Sequence, residues 1–272
     1  PLHIAIVNQH SIIISLILSH PALNLNSRDK NGNTPFATAM TIKNNKAAKE
    51  ILNRDSNAAE KHDAKGYNFL HIAIKKGDIE SVLFLLSINV NIHSRVQDAV
   101  QLTPLHLAVE YGSELIVRNL LLAGANIDDV STQKQTVLHI AAEHDHSTIC
   151  SILLENKVNF NAVDVNLNNA LHLACQKGNL ATCKVLLHES NIEAYSANAK
   201  GQTPLHLVAA FAKDNGAAIF ELFMSYEPEY PINKVDNEGN TPLLLAYING
   251  NVNLCRALVK CGACLGSTNK NG

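Results

Sequence analysis

One phrase recurs along the whole chain and constrains it more than any other feature. It reads Pro1-Leu2-His3, Thr34-Pro35-Phe36, Phe69-Leu70-His71, Thr103-Pro104-Leu105-His106, Val137-Leu138-His139, Ala170-Leu171-His172, Thr203-Pro204-Leu205-His206 and Thr241-Pro242-Leu243. Aligned on the apolar residue, the copies fall at 2, 36, 70, 105, 138, 171, 205 and 243, spaced 34, 34, 35, 33, 33, 34 and 38 residues apart. A fixed period of this length marks a stack of supersecondary modules, each burying a face against the next.

Within one period the residues spell helix, turn, helix. In the third copy Asp63-Ala64-Lys65-Gly66 supplies a turn, with Gly where the backbone needs positive φ. Asn68 is a helix-cap type, and Leu70, Ile72, Ala73 and Ile74 begin a short first helix that Gly77 ends. Ser81-Val82-Leu83-Phe84-Leu85-Leu86 forms the second helix, with Asn89 where a left-handed cap falls.

A period near 33 residues carrying T-P-L-H-x-A resembles the ankyrin repeat, a β-turn followed by two antiparallel helices. The resemblance covers the whole chain. It implies an all-α, right-handed ankyrin-repeat solenoid of about eight helix-turn-helix units with β-turn or hairpin tips. One array, 1–272, is expected, with units beginning near 1, 29, 63, 98, 131, 164, 198 and 236. The chain starts inside the recurring phrase and ends on Asn269-Lys270-Asn271-Gly272, which reads as the turn opening another unit. A segment of a longer protein is therefore expected.

Composition narrows the function classes. With 22 Lys+Arg against 24 Asp+Glu, the chain lacks the basic excess of a nucleic-acid or anionic-membrane coat. The longest apolar runs, 12–18 and 243–248, are too short to cross a bilayer. The N-terminus lacks a signal peptide's basic start, and six Cys in 272 residues do not make a disulfide scaffold, so the expected setting is cytoplasmic.

The tempting reactive residues follow the period. His3, His71, His106, His139, His172 and His206 share one slot, where an imidazole can bond backbone and hydroxyl groups between neighbouring repeats. The run His139-Ile140-Ala141-Ala142-Glu143-His144 is one residue longer than the H-x-x-E-H zinc motif, and His146 follows beyond Asp145; a polar, exposed helix end is expected there. Eleven residues beyond the His slot stand Ile14, Ala48, Val82, Val117, Cys150, Cys183 and Cys255, a column of the second helix filled by small or medium apolar side chains. Cys175 takes another tight site. Cys261-Gly262-Ala263-Cys264 has no second C-x-x-C to complete a zinc site. Phosphate-loop, nucleophile-elbow and metalloprotease motifs are absent from the sequence. No catalytic residue, metal or cofactor is assigned.

Binding is expected on the concave face, built from turn tips and the exposed side of the first helices. Those slots hold Lys65, Tyr67, Lys75, Lys76, Leu102, Glu110 and Tyr111, then Gln133, Gln135, Glu143, His144, Asn166, Asn168, Gln176, Lys177, Lys200, Gln202 and Phe211. Tyr67, Tyr111 and Phe211 stand out because aromatic side chains carry much of the energy of interfaces. Lys75-Lys76 reads as a weak basic spot. Lys213-Asp214-Asn215-Gly216 and Glu227-Pro228-Glu229-Tyr230-Pro231 account for the 38-residue spacing and read as a tolerated insertion, with a partner site as the alternative.

Several stretches carry a narrower resemblance: RDKNGNTPFATA (28–39), ESVLFLL (80–86), IVRNLLLAGA (116–125), TICSILLEN (148–156) and NTPLLLAYINGNVNLCR (240–256). They are similar to a family of endosomal proteins that join BTB, ankyrin and FYVE domains. The resemblance implies an effector of an early-endosomal Rab GTPase, acting in endocytosis, macropinocytosis and endosomal sorting. The full-length protein would sit peripherally on early endosomes, through a FYVE domain beyond Gly272 that reads phosphatidylinositol 3-phosphate. That family's N-P-F tripeptide, which recruits EH-domain partners, is only approximated by Thr34-Pro35-Phe36. The other classes left open are an adaptor for a different cytosolic partner and a structural spacer; a partner face should be aromatic-rich, a spacer uniformly polar.

Overall fold

A computed structural model describes residues 1–189 and 191–272. Among the described residues there are sixteen α-helices, one short 3₁₀ turn and no β-strand, as the repeat pattern requires.

The recurring phrase is a helix start. Thr34, Asn68, Thr103, Thr136, Asn169, Thr203 and Thr241 are N-caps in extended backbone. Four of these helices place Pro at their first position, where its missing N–H costs nothing. The histidine, at the third helical position, closes a capping box. His71, His106, His139, His172 and His206 each accept the cap residue's backbone N–H on Nδ1, at 3.1–3.4 Å. An Nδ1 that accepts leaves the proton on Nε2, which can then donate. Nε2 of His139 reaches the Asn168 carbonyl at 2.9 Å, and His172 and His206 reach those of Gln202 and Asn240. His3 makes the same bond to Asn33, and His71 bonds Ser94. In His139, His172 and His206 one side chain thus caps its own helix and ties it to the next repeat.

Turn tips obey an equally local rule. Asp29, Asp63, Asp164 and Asp236 each accept two backbone N–H groups, two and four residues ahead, on a carboxylate oxygen. Asn198 does so with its amide oxygen and Ser131 with its hydroxyl. The tips then bond tip to tip: Gln97 N–H donates to Gly66, Val165 to Gln133, Ala199 to Asn166 and Asn237 to Lys200. This hairpin-like ladder, with one bond per step, is too sparse to form a sheet.

The chain divides into two compact units, Pro1–Asn126 and Ile127–Gly272. The first holds α1 (Leu2–Val7), α2 (Ser11–Leu18), α3 (Pro35–Thr41), α4 (Asn45–Arg54), α5 (Phe69–Lys75), α6 (Ile79–Ser87), α7 (Pro104–Glu110) and α8 (Glu114–Leu122). Helices of one repeat pair with each other, α1 packs on α3, α2 on α4, α5 on α7 and α6 on α8. The 3₁₀ turn Ala58–Glu60 wedges its two buried alanines against α3, α4 and α5. The column Ile14, Ala48, Val82, Val117 lies in the core.

The second unit holds α9 (Val137–Glu143), α10 (Ser147–Glu155), α11 (Ala170–Lys177), α12 (Leu180–Leu187), α13 (Pro204–Phe211), α14 (Gly216–Tyr226), α15 (Pro242–Ile248) and α16 (Val252–Lys260). First helices stack as α9, α11, α13, α15 and second helices as α10, α12, α14, α16. Cys150 and Cys183 fill the small apolar column, but Cys255 is only half-buried. The extra length of the seventh repeat is not a loose loop. Part of it extends α14 to 11 residues, and Tyr230 folds back, 4% exposed, against Phe223 with ring centroids 4.9 Å apart. Its hydroxyl donates to the Ala194 carbonyl at 2.7 Å.

Candidate partner-binding face

In the first unit the candidate residues converge on one cation. Lys75, the last residue of α5, places Nζ 5.0 Å from the Tyr67 ring centroid and 5.8 Å from that of Tyr111 in the next repeat. Hydrogen bonding to the Tyr111 hydroxyl raises the Lys75 pKa, so the ammonium stays charged. Tyr111 is 45% exposed; Tyr67 is half-buried, its ring edge-on to His71. Lys65 and Lys76 are exposed around them, and Leu102 and Glu110 half-buried. Lys75 was the plain half of a weak basic pair in the sequence; only the packing of two repeats brings a ring to each side of it.

In the second unit the face is more polar and partly tied to itself. Lys177 pairs with Glu143 at 3.2 Å. His144 is exposed, donates Nδ1–H to the Ile140 carbonyl at 2.9 Å, and stacks on His146 with ring centroids 5.9 Å apart. This is the polar helix end expected, with Asp145 adopting φ 58° in the glycine slot. Gln133, Asn166 and Lys200 sit exposed at turn tips, their backbone carbonyls committed to the tip ladder. Gln135, Gln176 and Gln202 are half-buried. Phe211, ending α13, is 56% exposed. Asn168 is a correction: at 8% exposure it faces inward, donating to Asp164 and accepting from the Asn198 amide, because its slot precedes the N-cap and is covered by the next turn.

The sequence reading missed two aromatics here. Tyr195 is exposed and meets the buried Tyr230 edge-on, at 6.1 Å, while Tyr247 on α15 is exposed. Tyr230 lay inside a segment read as a tolerated insertion, and only its apolar, ring-bearing character hinted at an anchor.

Burial disfavours the charged form of several core side chains. Burial lowers the pKa of His71 and His172 to about 4 and pushes Cys150 up to about 12. Cys175 and Cys183 touch, Sγ to Sγ, at 3.8 Å in the core. Among the described residues, no three His, Cys, Asp or Glu side chains gather as ligands for a metal ion. Among them too, no helix is long and apolar enough to cross a membrane.

A family model described as ankyrin repeats, in three copies, matches residues 2–98, 40–131, 105–196 and 192–269. The chain belongs to the ankyrin-repeat family. Ankyrin repeats imply a protein-interaction role, and so protein partners. Over all 272 residues the chain is 61% identical to Rabankyrin-5 of Mus musculus and 60% identical to Rabankyrin-5 of Homo sapiens. It spans 23% of the length of each. It is also 29% identical, over 136 residues, to transient receptor potential cation channel subfamily A member 1 of Homo sapiens; that match covers 48% of this chain and 12% of the channel protein.

Proposed function

We propose that this ankyrin array is a non-catalytic protein-interaction scaffold and serves as a segment of a Rab GTPase effector on early endosomes. The observation that carries the reading is the 61% identity to Rabankyrin-5 across the whole length of the chain. Exposed Tyr111 and Phe211 support it, since a spacer gains nothing from aromatic rings left in water. The array would act in endocytosis, macropinocytosis and endosomal sorting by holding a protein partner, while membrane attachment belongs to a phosphatidylinositol 3-phosphate-reading domain elsewhere in the full-length protein. The test is capture by this chain of early-endosomal Rab GTPases loaded with GTP or with GDP. GTP-selective capture is expected; absent or nucleotide-independent capture would remove the GTPase from this segment.

A further inference from the structure

The first unit carries an arrangement that the repeat framework does not require. Tyr67 stands just before the N-cap of α5, Lys75 ends that helix, and Tyr111 caps α7. None of the three fills the core, yet the two rings flank one ammonium at 5.0 and 5.8 Å. Two other lysines, Lys43 in an inter-helix turn and Lys177 at the end of α11, have their charge answered already. Lys43 pairs with Glu80 and Asp78, and Lys177 with Glu143. Among the described residues no carboxylate lies within ion-pair distance of Lys75; Glu110 acts on it only as a more distant charge.

Ring faces orient an ammonium without neutralising it, and they exclude water from one side of its stem. A lysine held this way, bonded to the neutral Tyr111 hydroxyl, keeps its net positive charge at low entropic cost, with aromatic surface beside it, and exposed Lys65 and Lys76 extend the positive field. The complementary ligand is a carboxylate on a chain that also offers apolar contact to the rings. A charge-assisted bond to such a group, shielded by two rings, has the features of an interface hot spot.

We infer that the Tyr67–Lys75–Tyr111 cluster is the docking point for an acidic peptide segment of the protein partner, one Asp or Glu side chain seating on Lys75 between the rings. This rests on the protein-interaction reading above and adds the partner's chemistry to it.

The experiment uses the full 272-residue chain, isotope-labelled for NMR, and two 12-residue peptides of Gly, Ser, Leu and Glu or of Gly, Ser, Leu and Gln. The Glu peptide should perturb Tyr67, Lys75 and Tyr111 selectively. Lys75→Gln should weaken it at least fivefold with the urea midpoint unchanged, and Glu110→Gln should tighten it. Equal binding of the Gln peptide, no binding of either, perturbation centred elsewhere, or full affinity in Lys75→Gln would each overturn the inference. Rab capture separates the two claims. Capture that survives Lys75→Gln and Tyr111→Ala while the Glu peptide fails would sink the cluster and keep the GTPase reading. Selective Glu-peptide binding without capture would do the reverse.

Discussion

The repeating histidine is a structural device whose chemistry sets a pH limit. Its Nδ1 must be an acceptor to cap the helix, so the ring works only when neutral, and burial enforces that state. For His71 and His172 the folded pKa is about 4, below the 6.5 of an unburied imidazole. The unfolded chain therefore binds protons first. Stability from these two residues is fully present above pH 6.5 and falls as the pH drops toward 4, by a total of a few kcal/mol. Asp29, held below its usual range by the Asn33 amide, affects a separate window beneath pH 3.8. Urea midpoints at pH 7.5, 5.5 and 4.5 should decline steadily. A flat profile, or one that Gln at both positions does not flatten, would show that protonation of these rings is not what limits the fold.

At the scale of the element, two glycines in the same slot separate conformational from steric cost. Gly32 and Gly66 share φ +81°, but a Cβ on Gly32 meets nothing, whereas one on Gly66 would lie 2.5 Å from the Gln97 carbonyl oxygen. Gly32→Ala should cost about 1–2 kcal/mol, the strain of a left-handed L-residue. Gly66→Ala should cost clearly more, because it must also break the Gln97–Gly66 bond between tips. Equal losses in chemical denaturation would mean the tip ladder contributes nothing. The seventh repeat makes the complementary point. Tyr230→Ala removes a buried ring and its bond to Ala194, and about 3–5 kcal/mol of stability should go with it. A loss below about 1 kcal/mol would return that segment to the status of a loop.

For the molecule as a whole, framework and recognition surface should be separable by mutation. Leu105 is fully buried, and Leu105→Ala should cost roughly 2–5 kcal/mol through the cavity it leaves. Tyr111→Ala and Phe211→Ala remove partly exposed rings that lie outside the core, so thermal midpoints should stay near the parent value while partner capture weakens. A large fall in the midpoint with either change would assign that ring to the core instead.

Fold class, helix starts, turn tips and the neutral roles of His and Cys were legible in the residues because each is decided locally or by a strict period. A cap needs Thr or Asn three residues before the histidine, and a left-handed turn needs Gly, so the pattern states the structure. What depends on two repeats meeting could not be read that way. Asn168 occupies a slot that looks like a surface position, yet the following turn buries it. Tyr230 sits in an apparent insertion and becomes an anchor because Phe223 and the Ala194 carbonyl lie beneath it. Lys75 gains its two rings from residues 8 before and 36 after it, a convergence set by stacking geometry rather than by any spacing within one repeat. Periodicity determines the scaffold, since it repeats the same local energetics; the partner face arises from distances across the stack, which only the tertiary structure supplies.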